Sequence, residues 1–278
     1  MPAASPFIRA GCGGVDMTTF SVPVVHISSE TNPLIKELHK LSSNSAGYRK
    51  LGKVWLEGDH LCRAALARGL QPELAVFSES LWPMVPVFIA QAAMKNIVIA
   101  DALLPKISTL ESPAPMGFVM TLPPQPLLAA SAPSVILDRV QDAGNVGSIL
   151  RSAAAFGFTQ VLALKGCAAL WSPKVLRAGM GAHFGLRLSE GLSVEDLAAL
   201  AVPLVVTSSH LGVDLHRLAV PMPCAWVMGH EGQGVCDALM AKAAVHVRID
   251  QPGGEESLNV AAAAAICLYA SASSASAG

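Results

Sequence analysis

Five short apolar runs after residue 133, each followed by a segment with helical spacing, leave little choice of architecture. They are "SVILD", "QVLAL", "PLVVT", "CAWVMG" and "VHVRI". Helices are expected from about Val146, Pro173, Cys236 and Leu258, with a helical turn near "DLHRL". Strands this apolar lack the alternation of a half-exposed sheet, so both of their faces are expected to be covered. Strand–helix alternation then predicts an α/β fold with a parallel sheet. The last helix, "VAAAAAICLYA", is apolar on every side and is expected to be buried all round, in a core or against a partner. The tail "SASSASAG" is low in complexity and expected to fray.

The preceding residues follow a less regular rhythm. Asn32 can cap a helix from Pro33 to Leu41, with Leu34, Leu38 and Leu41 on one stripe. A second helix is expected over Leu61 to Arg68, ended by Gly69. "ELAVFSE", "IVIA" and "MGFVMTL" read as strands, and two short helices fall between them. Together they describe a small α/β domain over 26–122. Residues 1–25 read as a flexible leader, with Met17 as an alternative start. Residues 123–133, "PPQPLLAASAP", read as a linker to a second domain over 134–278.

Several classes are disfavoured. Hydrophobic residues make up 52% of the 278 and charged residues 14%, which calls for large cores or a subunit interface rather than disorder. No stretch reaches the roughly 18 apolar residues of a membrane helix. The N-terminus lacks a secretory apolar core, and a cytoplasmic protein is expected. The cysteines form no CxxC pair and the histidines no HExxH spacing, so no metal is assigned. Net charge is −1, no general attraction for nucleic acid. One segment departs from this: Lys36, Lys40, Arg49, Lys50 and Lys53 stand against Glu37 alone. It reads equally as a solvated face or as an RNA-phosphate patch.

Ligands of parallel α/β sheets bind beyond the carboxyl ends of the strands. Three strand ends carry residues that packing does not require. After "SVILD" come Asp142, Gly144, Asn145 and Arg151. On that helix Val146, Ile149, Leu150, Ala153 and Gly157 form the core stripe, and Arg151 points off it. Asn145 can be a local cap. A cation early in a helix opposes the helix dipole, which favours a functional reading of Arg151. After "CAWVM" comes "GHEGQG", residues 229–234, in which Glu231 is harder to dismiss than the glycines. After "VHVRI" comes "DQPGGEESLN", where Ser257 and Asn259 flank Leu258 and Ser257 can be a cap.

These segments, "DAGNVGSILRSAAAFGF", "VMGHEGQGV" and "IDQPGGEESLNVAAAAAICLY", resemble the three ordered motifs of the SpoU/TrmH-type RNA methyltransferases of the SPOUT superfamily. "SPKVLRAGMGAHF" resembles the segment between the first two, and the likeness spans about Val135 to Tyr269. "ISSETNPLIKELHKL", "WLEGDHLCRAAL" and "MGFVM" carry a weaker likeness to that family's L30e-like substrate-binding domain. The resemblance implies a C-terminal trefoil knot, a homodimer, S-adenosylmethionine as donor and a ribose 2′-hydroxyl of rRNA or tRNA as acceptor. It implies that Gly229, Ile249 and Leu258 hold the cofactor. It also implies that Asn145, Arg151, Glu231, Ser257 and Asn259 form the catalytic and positioning set. A guanidinium is protonated at working pH, so Arg151 fits a phosphate clamp and stabiliser of alkoxide charge better than a base. Ala143 stands where the family usually carries Pro, His230 where Asn or a small residue is common, and Gly179 where Ser is frequent. Two readings compete. One is a non-catalytic RNA-binding protein on the same scaffold. The other is a nicotinamide oxidoreductase, which the late position and spacing of the glycine loop oppose.

Overall fold

The computed structural model describes residues 22–208, 212–253 and 257–276. Residues 1–21, Cys12 among them, and the last two residues of the tail lie outside it.

The first sheet is built from β1 (Val24–Ile27), β2 (Lys53–Glu57), β3 (Leu74–Ser78), β4 (Lys95–Ile99) and β5 (Met116–Thr121), in the order β1-β4-β3-β5-β2. β1, β4 and β3 run parallel, while β5 pairs antiparallel with β3 and β2. β1 and β2 are additions to the sequence reading; both are short runs next to turns. Helices α1 (Pro33–Ser43), α2 (Gly47–Leu51), α3 (Asp59–Ala67), α4 (Val87–Ala90) and α5 (Leu104–Ile107) connect them. Asn32 caps α1 as expected, accepting from the Leu34 amide at 2.9 Å.

The second sheet is wholly parallel and has seven strands, not five. Its elements are β6 (Ser134–Leu137), α6 (Ala143–Ala155), β7 (Gln160–Leu164), α7 (Pro173–Gly179), β8 (Arg187–Leu192), β9 (Leu204–Thr207), β10 (Val213–Asp214), β11 (Ala225–Met228), α8 (Asp237–Lys242), β12 (Val245–Arg248) and α9 (Val260–Ser276). The order is β10-β12-β9-β11-β6-β7-β8. β8 and β10 are the edge strands, where burial is incomplete and the apolar signal weak. Trp226 of β11 is fully buried, and its indole N–H donates to the Ser271 hydroxyl at 2.8 Å. That hydroxyl donates in turn to the Cys267 carbonyl, so α9 is fastened to the sheet.

One expectation about α9 needs correction. Residues 271–276 of the tail continue the helix rather than fray, and the Trp226 indole anchors Ser271 at their start. Within the single chain the helix buries one face. Ala264, Cys267, Leu268 and Ser271 face the core, whereas Ile266 is 41% and Tyr269 61% exposed. Gly157 likewise leaves the core stripe: it lies beyond the end of α6 with φ +79°, exposed.

The segment between the sheets has no helix or strand but is tied down. Gln160 brackets Ala129 by both its amide groups, and Arg187 donates to the Leu127 carbonyl at 2.7 Å. The two halves meet through apolar packing, with Leu176 of α7 in the core of the first half, and through charge. Glu190 accepts from the Tyr48 hydroxyl, from Arg49 at 2.9 Å and from the Leu170 amide at 3.0 Å. Burial favours its neutral form, yet these donors outweigh that and hold Glu190 below the usual carboxylate range. Arg49 is thus not free for RNA. Neither is Lys53, which pairs with Glu37 at 3.2 Å and Glu73 at 3.5 Å. Of the basic segment, Lys36, Lys40 and Lys50 remain exposed.

His183 is buried beneath α6 and α7, one ring nitrogen 2.9 Å from the Leu170 carbonyl and the other without a partner. A side chain on Gly179 would overlap the ring, its Cβ 2.6 Å from Cε1, so glycine rather than Ser accompanies this histidine. Burial pushes the imidazole pKa down to about 4 from 6.5, against the opposing pull of the carbonyl. The unfolded chain therefore binds a proton first as pH falls. Stability contributed by neutral His183 is full above 6.5 and declines towards 4, by about 3 kcal/mol in all. Urea unfolding across that window is expected to show the slope, and His183→Gln to flatten it whatever its offset. An unchanged slope would exclude His183 as its source.

Candidate active site

All strands of the second sheet point the same way, so the loops after β6, β9, β11 and β12 open on one edge. There a cavity of about 860 Å³ is lined by Thr207, Gly229 to Val235, Met240, Ile249, Ser257 to Val260 and Ala263. Its size suits a nucleoside-sized ligand. Gly229, Ile249 and Leu258 are all on its wall, with Glu231, Ser257 and Asn259.

Gly229 is where β11 turns into the loop. A Cβ there would stand 2.4 Å from the Gly234 carbonyl carbon and 2.4 Å from the Val235 nitrogen. The backbone crosses itself at that point, and only a glycine permits it. His230 and Gly234 exchange backbone hydrogen bonds at 3.0 and 2.8 Å, closing the loop. His230 Nδ1 also accepts from the Gly232 and Gln233 amides. At this position histidine therefore serves as an internal acceptor for the turn.

Glu231 ties this loop to the start of α6. Its carboxylate accepts from the Asp142 amide at 3.0 Å, the Gln141 amide at 3.3 Å and the Asn145 side-chain amide at 3.2 Å. Burial alone would raise its pKa, but these donors prevail and hold it below the usual range. Asn145 is not the cap of α6. Asp142 is, accepting from the Asn145 backbone at 2.8 Å. The Asn145 side chain is thereby released to join Glu231 to Asn259, whose amide donates to Asn145 Oδ1 at 2.9 Å. The cap of α9 also differs from expectation. Asn259, not Ser257, accepts from the Ala261 and Ala262 amides at 2.9 and 3.2 Å. A chain Glu231–Asn145–Asn259 thus joins all three strand-end segments at the cavity mouth. Ala143 is the first residue of α6. A proline would fit there, and the Asp142 cap fixes the helix start instead.

Arg151 stands apart. It is exposed, with no hydrogen bond or ion pair among the described residues, and lies six residues, about 9 Å, further along α6 than Asn145. Three supporting residues escaped the sequence reading. Asp138, at the end of β6, is 2% exposed and accepts from the Cys236 amide at 2.7 Å. Burial opposes its charge, but Arg139 and that amide keep its pKa low. Arg139 forks onto Asp138 and reaches Gln233 at 2.9 Å, in a left-handed conformation at φ 58°. Such strain costs about 1–3 kcal/mol and is held by the surrounding bonds. The signal available was a carboxylate ending an apolar strand. Among the described residues no group of three or more His, Cys, Asp or Glu side chains is placed to share a metal ion. No helix described is long and apolar enough to cross a membrane.

A sequence profile of the SpoU rRNA methylase family matches residues 132–269. An uncharacterised tRNA/rRNA methyltransferase of Synechocystis (slr1673) is 31% identical over 258 residues, 88% of this chain and 93% of that one. The 23S rRNA (guanosine(2553)-2′-O)-methyltransferase RlmP of Bacillus subtilis is 29% identical over 87% of this chain and 97% of its own. The crystal structure of an AdoMet-bound rRNA methyltransferase from Sinorhizobium meliloti superimposes with a TM-score of 0.78 at 25% identity, covering 89% and 97% of the two chains.

Proposed function

The chain belongs to the SpoU rRNA methylase family, and from that premise we propose that it transfers a methyl group from S-adenosylmethionine to a ribose 2′-hydroxyl of rRNA or tRNA. The observation that carries the reading is the Glu231–Asn145–Asn259 chain at the mouth of the cavity. It gathers polar groups from three separate segments at one strand-end opening. The cavity suits the cofactor: apolar walls at Ile249, Leu258 and Met240, and a backbone loop that Gly229 lets close tightly. S-adenosylmethionine supplies there a methyl group on a cationic sulfur. Gly229, Ile249 and Leu258 hold it by backbone and apolar contact, and Ser257 and Asn259 fix the loop over it. Asn145 and Glu231 would orient the ribose 2′-hydroxyl toward the cofactor's methyl group. Arg151, without a partner among the described residues, would hold the neighbouring phosphate and stabilise charge on the oxygen as the O–C bond forms, the S–C bond breaks to leave a neutral thioether, and the hydroxyl proton passes to solvent.

Three structural expectations join the proposal. β11 and β12 enter the sheet between strands laid down earlier, which supports a trefoil knot. The exposed Ile266 and Tyr269 on an otherwise apolar helix support a homodimer built on α9. The first sheet and its helices serve as an L30e-like RNA-binding domain, and the protein works in the cytoplasm.

Calorimetry with S-adenosylmethionine separates this reading from a retired scaffold that only binds RNA. Saturable one-site binding is expected, and none would favour the scaffold. Arg151→Ala is expected to keep that binding and to lower methyl transfer to unmodified rRNA by about 10²–10³-fold. Near-parental turnover would end the assignment of Arg151.

A further inference from the structure

Nine of the ten arginines lie among the described residues. Seven of them have a carboxylate or carbonyl partner. Two have no hydrogen bond or ion pair there: Arg151, and Arg68.

Arg68 follows the last residue of α3 in the first half of the chain, but its head reaches the second. A Cβ on Gly185 would meet Nη1 at 2.9 Å, Nη2 at 2.9 Å and Cζ at 3.0 Å of Arg68. The head of the guanidinium, both terminal nitrogens and the central carbon, therefore lies against the glycine. Its N–H groups have no acceptor among the described residues. The neighbouring step of α3 is similarly tight, with Ala64 against Gly181. The bland reading is a cation that favours the C-terminal dipole of its own helix. It explains neither the reach across the junction nor a side chain seated on a backbone that carries no Cβ. The segment Ala182–Gly185 that seats Arg68 packs on α6, the helix that carries Arg151. The two guanidinia without a partner among the described residues thus come one from each half of the molecule.

We infer that Arg68 is a substrate-positioning residue that grips a backbone phosphate of the RNA at the junction of the two halves. A planar fork with free edges is the geometry that takes a phosphodiester bidentately. The phosphate it holds is not the one beside the reacting ribose, which Arg151 takes. Arg68 would instead fix the direction in which the strand leaves the site. The inference rests on the RNA methyltransferase reading above.

The test is binding of a fluorescein-labelled, unmodified RNA hairpin by the full-length protein, from 50 to 200 mM salt. Each lost phosphate contact removes about 0.7–0.9 from the slope of log affinity against log salt. Arg68→Ala is expected to show that reduced slope and about tenfold weaker binding, with S-adenosylmethionine affinity unchanged as the check on folding. Arg68→Lys is expected to keep the slope, since the charge remains, while losing part of the affinity. Gly185→Ala is expected to weaken binding, because the new Cβ displaces the guanidinium from its seat. Parental slope and affinity in Arg68→Ala would overturn the assignment while leaving the enzyme reading intact. A parent protein that ignores the hairpin would overturn the RNA reading itself, and this assignment with it.

Discussion

Replacing Glu231 with alanine is expected to lower methyl transfer by about two to three orders of magnitude, with a much smaller effect on stability. The carboxylate holds three donors, two backbone and one side-chain, that belong to the start of α6. Removing it unties the 229–234 loop from that helix and leaves Asn145 with Asn259 alone. Because Glu231 lies at the mouth, the freed amides meet water, so the stability loss should stay near 1 kcal/mol. Positioning has no such refuge: a displacement of about 1 Å in a reacting group can cost a hundredfold. Glu231→Gln should not rescue much. One of its two positions becomes an NH₂ that faces a donor. The measurement is kcat/KM with labelled S-adenosylmethionine and unmodified rRNA, beside thermal melts. Parental kcat/KM in Glu231→Ala would remove this carboxylate from the mechanism.

Gly229→Ala is expected to reduce S-adenosylmethionine affinity by about a hundredfold or more. The new methyl would lie 2.4 Å from two backbone atoms of the same loop. Flexible side chains can yield to such a clash, but a crossing backbone cannot. Overpacking of this kind costs about 1–3 kcal/mol, and relief requires the loop to open. The opened loop no longer presents one cavity wall, so about 3 kcal/mol would appear as lost binding. Gly232→Ala is the control. The nearest atom to its Cβ is the His230 ring at 3.8 Å, an ordinary contact. Calorimetry on the two variants should separate them; equal affinities would show that the crossing at Gly229 does not shape the cavity.

The sequence made the second sheet legible because its central strands are apolar on both faces, and that pattern survives without knowledge of neighbours. Edge strands β8 and β10 lack it, as Arg187 and Asp214 illustrate. The strand-end loops were visible as polar residues with no packing purpose. Their connections were not. Nothing along the chain shows that Glu231 and Asn145, 86 residues apart, share a hydrogen bond, or that Asn259 reaches Asn145 across 114. The caps show the same limit: Asn145 is drawn into the bonds to Glu231 and Asn259 while Asp142 caps α6, and α9 starts at Val260, which puts Asn259 rather than Ser257 at its cap. The basic segment around Arg49 looked free only because Glu190, its partner, lies 141 residues away.

This cavity and its polar rim are proposed to methylate a ribose. Mapping 2′-O-methyl groups across rRNA and tRNA of a strain lacking the gene tests it most directly. At least one ribose methylation is expected to disappear, and to return with the parental gene but not with Glu231→Ala. A map identical to the parent strain's would contradict it.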